Sequence, residues 1–244
     1  MDLRVGVSEQ VGTPPISMCG GQHEPRSAHR CDAATVTPDQ FLARCNQLWH
    51  VAPAGTWKAI SDNGLRTGQQ LIEAADLDEE TRTTLLTAPR SETVRLKVGE
   101  NEVVLRDQEA LLRADLPSLL EPGTTISDWV QLLNRRAYLF TDKVAMRRML
   151  DKNVERDGAQ EVLSFSPLRL FDAARPQIEL SAQNSGGVPR KSDPHKGRDT
   201  FLSITRFPDK KPAVVTIVDG LPDIAGIVMR VEHHEIGKPP ITIT

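Results

Sequence analysis

From Thr37 onward the apolar positions of the chain switch between helical and strand periods. Thr37, Pro38 and Gln40 mark a helix start: threonine at the N-cap, proline at the first helical position and glutamine placed to close a capping box. Phe41, Leu42, Cys45 and Leu48 then recur at helical spacing, which makes Cys45 a core thiol and not a nucleophile. Leu48 to Val51 is a short apolar strand carrying His50. After a turn with Pro53 and Gly55, the spacing predicts a helix over 55–63, with Trp57 and Ile60 on one face and Gly64 just past its end.

Thr67 to Ala75 and Asp78 to Leu86 read as two further short helices. Val94, Leu96 and Val98 alternate strictly, and Gly99-Glu100-Asn101 turns the chain into a partner strand, Glu102 to Leu105. Arg106-Asp107-Gln108 follows at that strand end. Leucines 111, 112, 116 and 119 predict an amphipathic helix over 109–120, and Trp129, Leu132 and Leu133 another over 127–135. Ala137 to Thr141 is an aromatic strand with the only tyrosine, Tyr138. Helical spacing returns over 142–151, strand character over 161–165, a helical turn over 168–174 and a short strand over 178–180. A basic loop with Gly and Pro, 188–199, separates these from strands expected at 201–204, 213–218 and 224–231. The end, 236–244, reads as a flexible tail, and 1–37 as a disordered leader poor in large apolar residues. The expected architecture is a single α+β domain over 38–235, with a split, mixed β-sheet and peripheral helices.

Composition narrows this picture only slightly. The 244 residues are 39% hydrophobic and 26% charged, with a formal net charge of -3. A chain of that size buries a sizeable core without staples. The charge is too small to argue for nucleic acid by itself. No apolar run reaches the roughly 18 residues of a membrane span, and the first residues lack the apolar core of a secretory signal. Three cysteines at irregular spacing fit a reducing compartment, so the expected location is the cytoplasm, with no membrane contact. Cys19, His23, His29 and Cys31 bring four candidate ligands close together in the leader. The second pair is too tightly spaced for a usual zinc knuckle and no apolar scaffold surrounds it, so no metal is expected.

Strong catalytic signatures are missing: no phosphate-binding Gly-x4-Gly-Lys-Ser/Thr, no Gly-x-Gly-x-x-Gly, no His-Glu-x-x-His, no Cys-x-x-Cys and no Gly-x-Ser-x-Gly. Three weaker signals remain. They are His50 at a strand end, Tyr138 on a strand between two helices, and acidic residues Asp219, Asp223 and Glu232 near the ends of the last strands. Each alone has a structural reading; a single tyrosine in an apolar strand most often packs with its hydroxyl at the rim.

Their order along the chain resembles the ADP-ribosyltransferase fold, in the branch of the DarT-like toxins, RNA 2′-phosphotransferases and poly(ADP-ribose) polymerases. The segments Leu48-Trp49-His50, Trp57-x-x-Ile60-x-x-x-Gly64-Leu65, Arg106-Asp107-Gln108, Trp129-x-x-Leu132-Leu133-Asn134, Glu179-Leu180-Ser181-x-x-Asn184-Ser185-Gly186, Gly197 to Phe201 and Leu221 to Ile224 also resemble a bacterial domain family of unknown function. The transferase resemblance implies NAD as substrate, held in a cleft between two half-sheets. His50 would bond the ribose of the nicotinamide half and Tyr138 would stack on the nicotinamide ring. Gly64, Asn184, Ser185 and Arg198 are the other expected NAD contacts. The basic loop 190–198 would grip phosphates of NAD or of nucleic acid.

Cleavage of the nicotinamide–ribose bond passes through an oxocarbenium-like state that a carboxylate stabilises. The resemblance places a glutamate at the start of the penultimate strand, where this chain has Ala213 to Val218 and Thr216. Glu232 is the nearest substitute by strand-end logic and Asp223 the next. Three readings therefore stand: an NAD-dependent ADP-ribosyltransferase, toxin-like, with a protein, nucleic-acid or small-molecule acceptor; a non-catalytic nucleotide- or nucleic-acid-binding module on the same fold; or a protein-interaction domain.

Overall fold

The computed structural model describes residues 37–183 and 195–244. The leader with Cys19, His23, His29 and Cys31 lies outside the described residues, as do Asn184, Ser185 and most of the basic loop.

Helix α1 (Pro38–Arg44) starts at the capping box expected: the Gln40 amide donates to the Thr37 hydroxyl, and the Gln40 side chain answers the Thr37 amide. The chain continues through β1 (Leu48–Pro53), α2 (Thr56–Asn63), α3 (Gly68–Ala74) and α4 (Glu79–Thr87). Strands β2 (Val94–Val98) and β3 (Asn101–Leu105) form the hairpin read from the alternation, in register from Val94 opposite Leu105 to Val98 opposite Asn101. Next come α5 (Ile126–Asn134), β4 (Arg136–Phe140), α6 (Lys143–Asp157), β5 (Gln160–Phe165), α7 (Pro167–Ala174) and β6 (Ile178–Ser181). The chain ends through β7 (Leu202–Ser203), β8 (Val214–Val218), β9 (Val228–His234) and β10 (Ile241–Thr242).

Eight strands build one sheet in the order β10-β9-β5-β1-β4-β8-β6-β7, and β2 and β3 stand apart as a second, two-stranded sheet. Neighbouring strands in both run antiparallel, which corrects the expected mixed sheet. The α+β class stands. Helix α6 packs Met146 and Leu150 against Trp49, Val51 and Val162 on one face of the sheet. The other face buries Leu48, Leu139, Leu163, Val215 and Val231 with Phe41, Leu170 and Phe171. The central strand β8 is buried along Val214 to Ile217, apolar there but for Thr216. The hairpin makes its own core with α3 and α4, through Ile72, Leu85, Leu96, Val103 and Leu105.

Three expectations fail for identifiable reasons. The helix expected over 109–120 is two short 3-10 turns, Glu109–Leu111 and Leu116–Leu119. Pro117 cannot sit in a helix interior, and Arg113 closes on Asp115 between the turns. The last long strand starts only at Val228, because the chain turns at Gly226 with φ 71°. The end expected to be loose pairs as β10, with Ile241 opposite His233 and Thr242 opposite Glu232.

β1 and β5 pair along six residues, from Leu48 to Pro53, whereas β1 and β4 meet only at Trp49 opposite Phe140. Beyond that pair the strands part.

Candidate functional site

A cleft of about 600 Å³ opens at this parting, lined by β1, α2, β3, β4 and one side of α6. That volume lies in the range of small-molecule sites. His50 and Tyr138 stand on either side. The Nδ1 atom of His50 is 3.0 Å from the Tyr138 carbonyl oxygen. A carbonyl only accepts, so Nδ1 carries the hydrogen and, in the neutral ring, Nε2 keeps its lone pair. Burial pushes the imidazole below its ordinary pKa; the carbonyl bond opposes this and the nearby Arg106 charge adds to it. His50 is therefore neutral near pH 7, with Nε2 the nitrogen left for a ligand.

Tyr138 lines the cleft and is held from behind. Its hydroxyl donates to the Leu133 carbonyl at 2.9 Å, and its ring meets Phe201 edge-on at 6.4 Å. Phe201 in turn stacks on Trp129 at 6.1 Å and carries the Arg136 guanidinium over its face at 4.5 Å. Arg136 is fixed by two bonds to Glu179, at 2.9 and 2.6 Å. The tyrosine is thus a braced wall and not a swinging ring.

The α2 wall is set by a residue far away in sequence. Gly55, the N-cap of α2, offers no side chain; instead Glu161 of β5 accepts from the Gly55 amide at 2.8 Å and from the Trp57 amide at 2.7 Å. A carboxylate at a helix N-terminus satisfies orphan amides and complements the helix dipole. At the other end Gly64 has φ 81°, and a Cβ there would run into the carbonyl oxygens of Leu221 and Pro222. The next residue, Leu65, exchanges both backbone bonds with Leu221 at 2.8 Å. This docks the end of α2 against the loop before β9.

Charge in the cleft is mostly positive. Arg66, Arg90, Arg106 and Arg136 line it, with Asp107 the one carboxylate among the described residues that do. Arg106 is spoken for: it donates to Asp157 at 2.8 Å and to Gln160 at 2.6 Å. Asp107 takes Arg156 at 2.7 Å. The Arg106-Asp107 pair seen in the sequence therefore ties the end of β3 to the end of α6, each residue through a separate partner. Arg90 differs. Its Nε donates to the Arg106 carbonyl at 3.0 Å, and its Nη1 to the Asn134 side chain at 3.2 Å and the Leu85 carbonyl at 3.4 Å. Its Nη2 has no partner among the described residues. Burial lowers the Arg90 pKa, opposed by Asp107 and Tyr138, but a guanidinium stays charged.

Of the residues expected at the site, the fold brings His50, Gly64 and Tyr138 together at the cleft. It does not bring Glu232 there. Glu232 lies on β9 opposite Val162, with β5 between it and β1, and is paired with Arg230 at 2.7 Å. Asp223 is exposed and accepts from the Ala225 amide; Asp219 pairs with Arg135 at 2.8 Å. Thr216 stands opposite Tyr138 but is fully buried, its hydroxyl donating to the Glu179 carbonyl at 3.2 Å. Arg198 is exposed in the 3-10 turn Arg198–Thr200 and does not line the cleft. Asn184 and Ser185 lie outside the described residues. Sequence reasoning missed Arg90, Asn153 and Glu161, all placed by contacts distant along the chain. Among the described residues no group of three His, Cys, Asp or Glu side chains is placed to hold a metal, and no helix is long and apolar enough to cross a membrane.

An α+β domain whose antiparallel sheet parts over a cationic, ligand-sized cleft is the class that fold and site define. By sequence the chain belongs to the family of unknown function DUF7002, matched over residues 46–227. That span contains His50, Gly64, Arg90, Arg106, Asp107, Tyr138 and Asn153. No curated protein matches the chain.

Proposed function

We propose that the cleft binds a nucleotide, with NAD the ligand that the resemblance to ADP-ribosyltransferases implies, and that the protein acts as a binding module. The observation that carries this reading is the parting of β1 and β4 after a single residue pair, with His50 and Tyr138 on its two sides. The chemistry of the walls fits. A neutral imidazole offers an acceptor for a ribose hydroxyl, a braced tyrosine offers an aromatic edge, and the Nη2 of Arg90 offers a charged donor to a phosphate oxygen. Binding without turnover is favoured because Glu232 lies outside the cleft, Thr216 carries no carboxylate, and Asp107, the carboxylate that lines the cleft, is engaged by Arg156.

A second reading, NAD-dependent ADP-ribosyl transfer, rests on Asp107, the carboxylate that does line the cleft. Calorimetric titration of the full chain with NAD, followed by assay for free nicotinamide, separates the two. The expected result is binding with no nicotinamide released. Release that disappears in Asp107→Asn moves the assignment to the transferase. Absence of NAD binding removes both.

A further inference from the structure

The arginines that line the cleft divide into two kinds. Arg106 and Arg136 are neutralised, the first by Asp157 at 2.8 Å and the second by Glu179 at 2.6 Å. Arg66 and Arg90 have no carboxylate partner among the described residues. Asp107, the carboxylate that lines the cleft, is taken by Arg156 at 2.7 Å. The chain thus sets two uncompensated positive charges into one concavity, and both side chains are half-buried. Charge that is partly removed from water and given no counter-ion is costly. A carboxylate in the chain would have relieved it, as it does for Arg106 and Arg136. A ligand anion relieves it only when bound.

The two are anchored separately but arise at the same part of the wall. Arg66 follows Leu65, whose backbone is locked to Leu221, and precedes the buried Thr67, the N-cap of α3. Its root is therefore fixed. Its head makes one long contact, Nη2 to the Asn63 side chain at 3.5 Å, which is the outer limit of a hydrogen bond. Arg90 gives Nη1 to the Asn134 side-chain oxygen at 3.2 Å and Nε to the Arg106 carbonyl at 3.0 Å, and its Nη2 is unengaged among the described residues. The same Asn134 oxygen lies against Gly68, where an added Cβ would come within 3.3 Å of it. Asn134 thereby holds the Arg90 guanidinium beside the Gly68 backbone, two residues along from Arg66, and Gly68 itself lines the cleft.

Guanidinium groups pair best with planar or tetrahedral oxyanions, phosphate among them. A single carboxylate would neutralise one of the two arginines and leave the other bare. Two linked phosphates carry one charge each and match two separately anchored guanidinium groups. We propose that Arg66 and Arg90 form the binding site for a diphosphate group, one arginine to each phosphate. This assigns the charged part of the ligand in the nucleotide reading above, and it rests on that reading for the remainder of the molecule.

Inorganic pyrophosphate and inorganic phosphate are the probes, titrated calorimetrically into the full chain at fixed ionic strength. Wild type is expected to bind one pyrophosphate per chain, more tightly than phosphate. Arg66→Gln is expected to lose pyrophosphate affinity by about tenfold or more, the worth of one charge-assisted bond. Arg66→Lys, which keeps the charge, should recover part of that loss. No pyrophosphate binding to wild type overturns the proposal, as does phosphate bound as tightly as pyrophosphate. Unchanged pyrophosphate affinity in Arg66→Gln overturns it too. Equal losses in Arg66→Gln and Arg66→Lys would make Arg66 a support of the wall and not an anion contact, which also overturns it. NAD titrated alongside separates this site from the nucleotide reading. If pyrophosphate binds with the expected losses and NAD does not bind, the diphosphate site stands and the nucleotide reading fails. If NAD binds wild type and Arg66→Gln equally, the nucleotide reading stands and the diphosphate site falls.

Discussion

His50 donates its Nδ1 hydrogen to the main-chain carbonyl of Tyr138 at 3.0 Å, across the place where β1 and β4 stop pairing. The bond replaces a missing rung of the ladder and fixes the imidazole tautomer. It also makes the ring a pH sensor of fold stability. Its folded pKa is depressed by burial, so in acid the unfolded chain takes up a proton that the folded chain refuses. The stability it confers is complete above its unfolded value of 6.5 and is lost as pH falls from there through the folded pKa. His234, also depressed by burial, acts in the same direction. The melting temperature should therefore fall as pH drops below about 6.5. His50→Gln, which keeps a donor but cannot titrate, should flatten that fall, and His50→Gln with His234→Gln should flatten it further. An unchanged slope in both variants would refute the neutral, buried imidazole.

Glu161 supplies the N-cap that α2 lacks in its own sequence. Its two bonds, to the Gly55 and Trp57 amides, are charge-assisted. Glu161→Ala is expected to destabilise the protein by about 2 kcal/mol, within the range for lost caps and for hydrogen bonds to charged groups. Glu161→Gln keeps one acceptor oxygen and should lose less. Urea unfolding measures both; equal losses would mean that packing at Glu161 matters and its cap does not.

What the sequence made legible was local. Thr37 with Gln40 marked a helix start, and Val94, Leu96 and Val98 marked a hairpin strand, because caps and alternation are written in neighbouring residues. The helix expected over 109–120 failed where leucine spacing outweighed Pro117, although the proline was in plain view. Helix α6 runs six residues past the expected 151, to Asp157, and stops at Gly158. His50 and Tyr138 stood out by residue type and strand position, and Gly64 through the family resemblance; all three line the cleft. Arg66 and Arg90 did not stand out, because nothing local separates them from any other surface arginine. Their meaning lies in what they fail to touch once the chain is folded, which sequence spacing does not encode.

Gly64 and Gly99 both have positive φ, 81° and 60°, yet only Gly64 has backbone packed against it. The strain of an L-residue at positive φ costs about 1–3 kcal/mol at either position. At Gly64 a methyl would also meet the carbonyls of Leu221 and Pro222, which the paired bonds of Leu65 and Leu221 hold in place. Gly99→Ala should therefore destabilise by about 1 kcal/mol. Gly64→Ala should cost several-fold more and disturb the α2 wall, lowering NAD affinity in whatever fraction folds. Denaturant midpoints for the pair provide the comparison. Similar shifts for the two would show that the contact with Leu221 yields easily.

Arg90 decides whether the cleft is built for an anion. With Nε and Nη1 bound to carbonyls and to Asn134, its orientation is set and Nη2 is the nitrogen left to engage a phosphate. A lost charge-assisted bond of about 1.5–3 kcal/mol corresponds to a ten- to hundredfold loss of affinity. Arg90→Lys keeps the charge and gives up the planar fork, so it should retain part of the binding, whereas Arg90→Gln should retain little. Because Arg90 also props the loop before β2, a general loosening of the cleft has to be told apart from loss of the anion contact. Adenosine, which carries no phosphate, makes that distinction. In calorimetric titrations its affinity should be the same in wild type and Arg90→Lys, while that of ADP-ribose falls. If both ligands lose affinity together, Arg90 holds the wall in place and the anion is bound elsewhere.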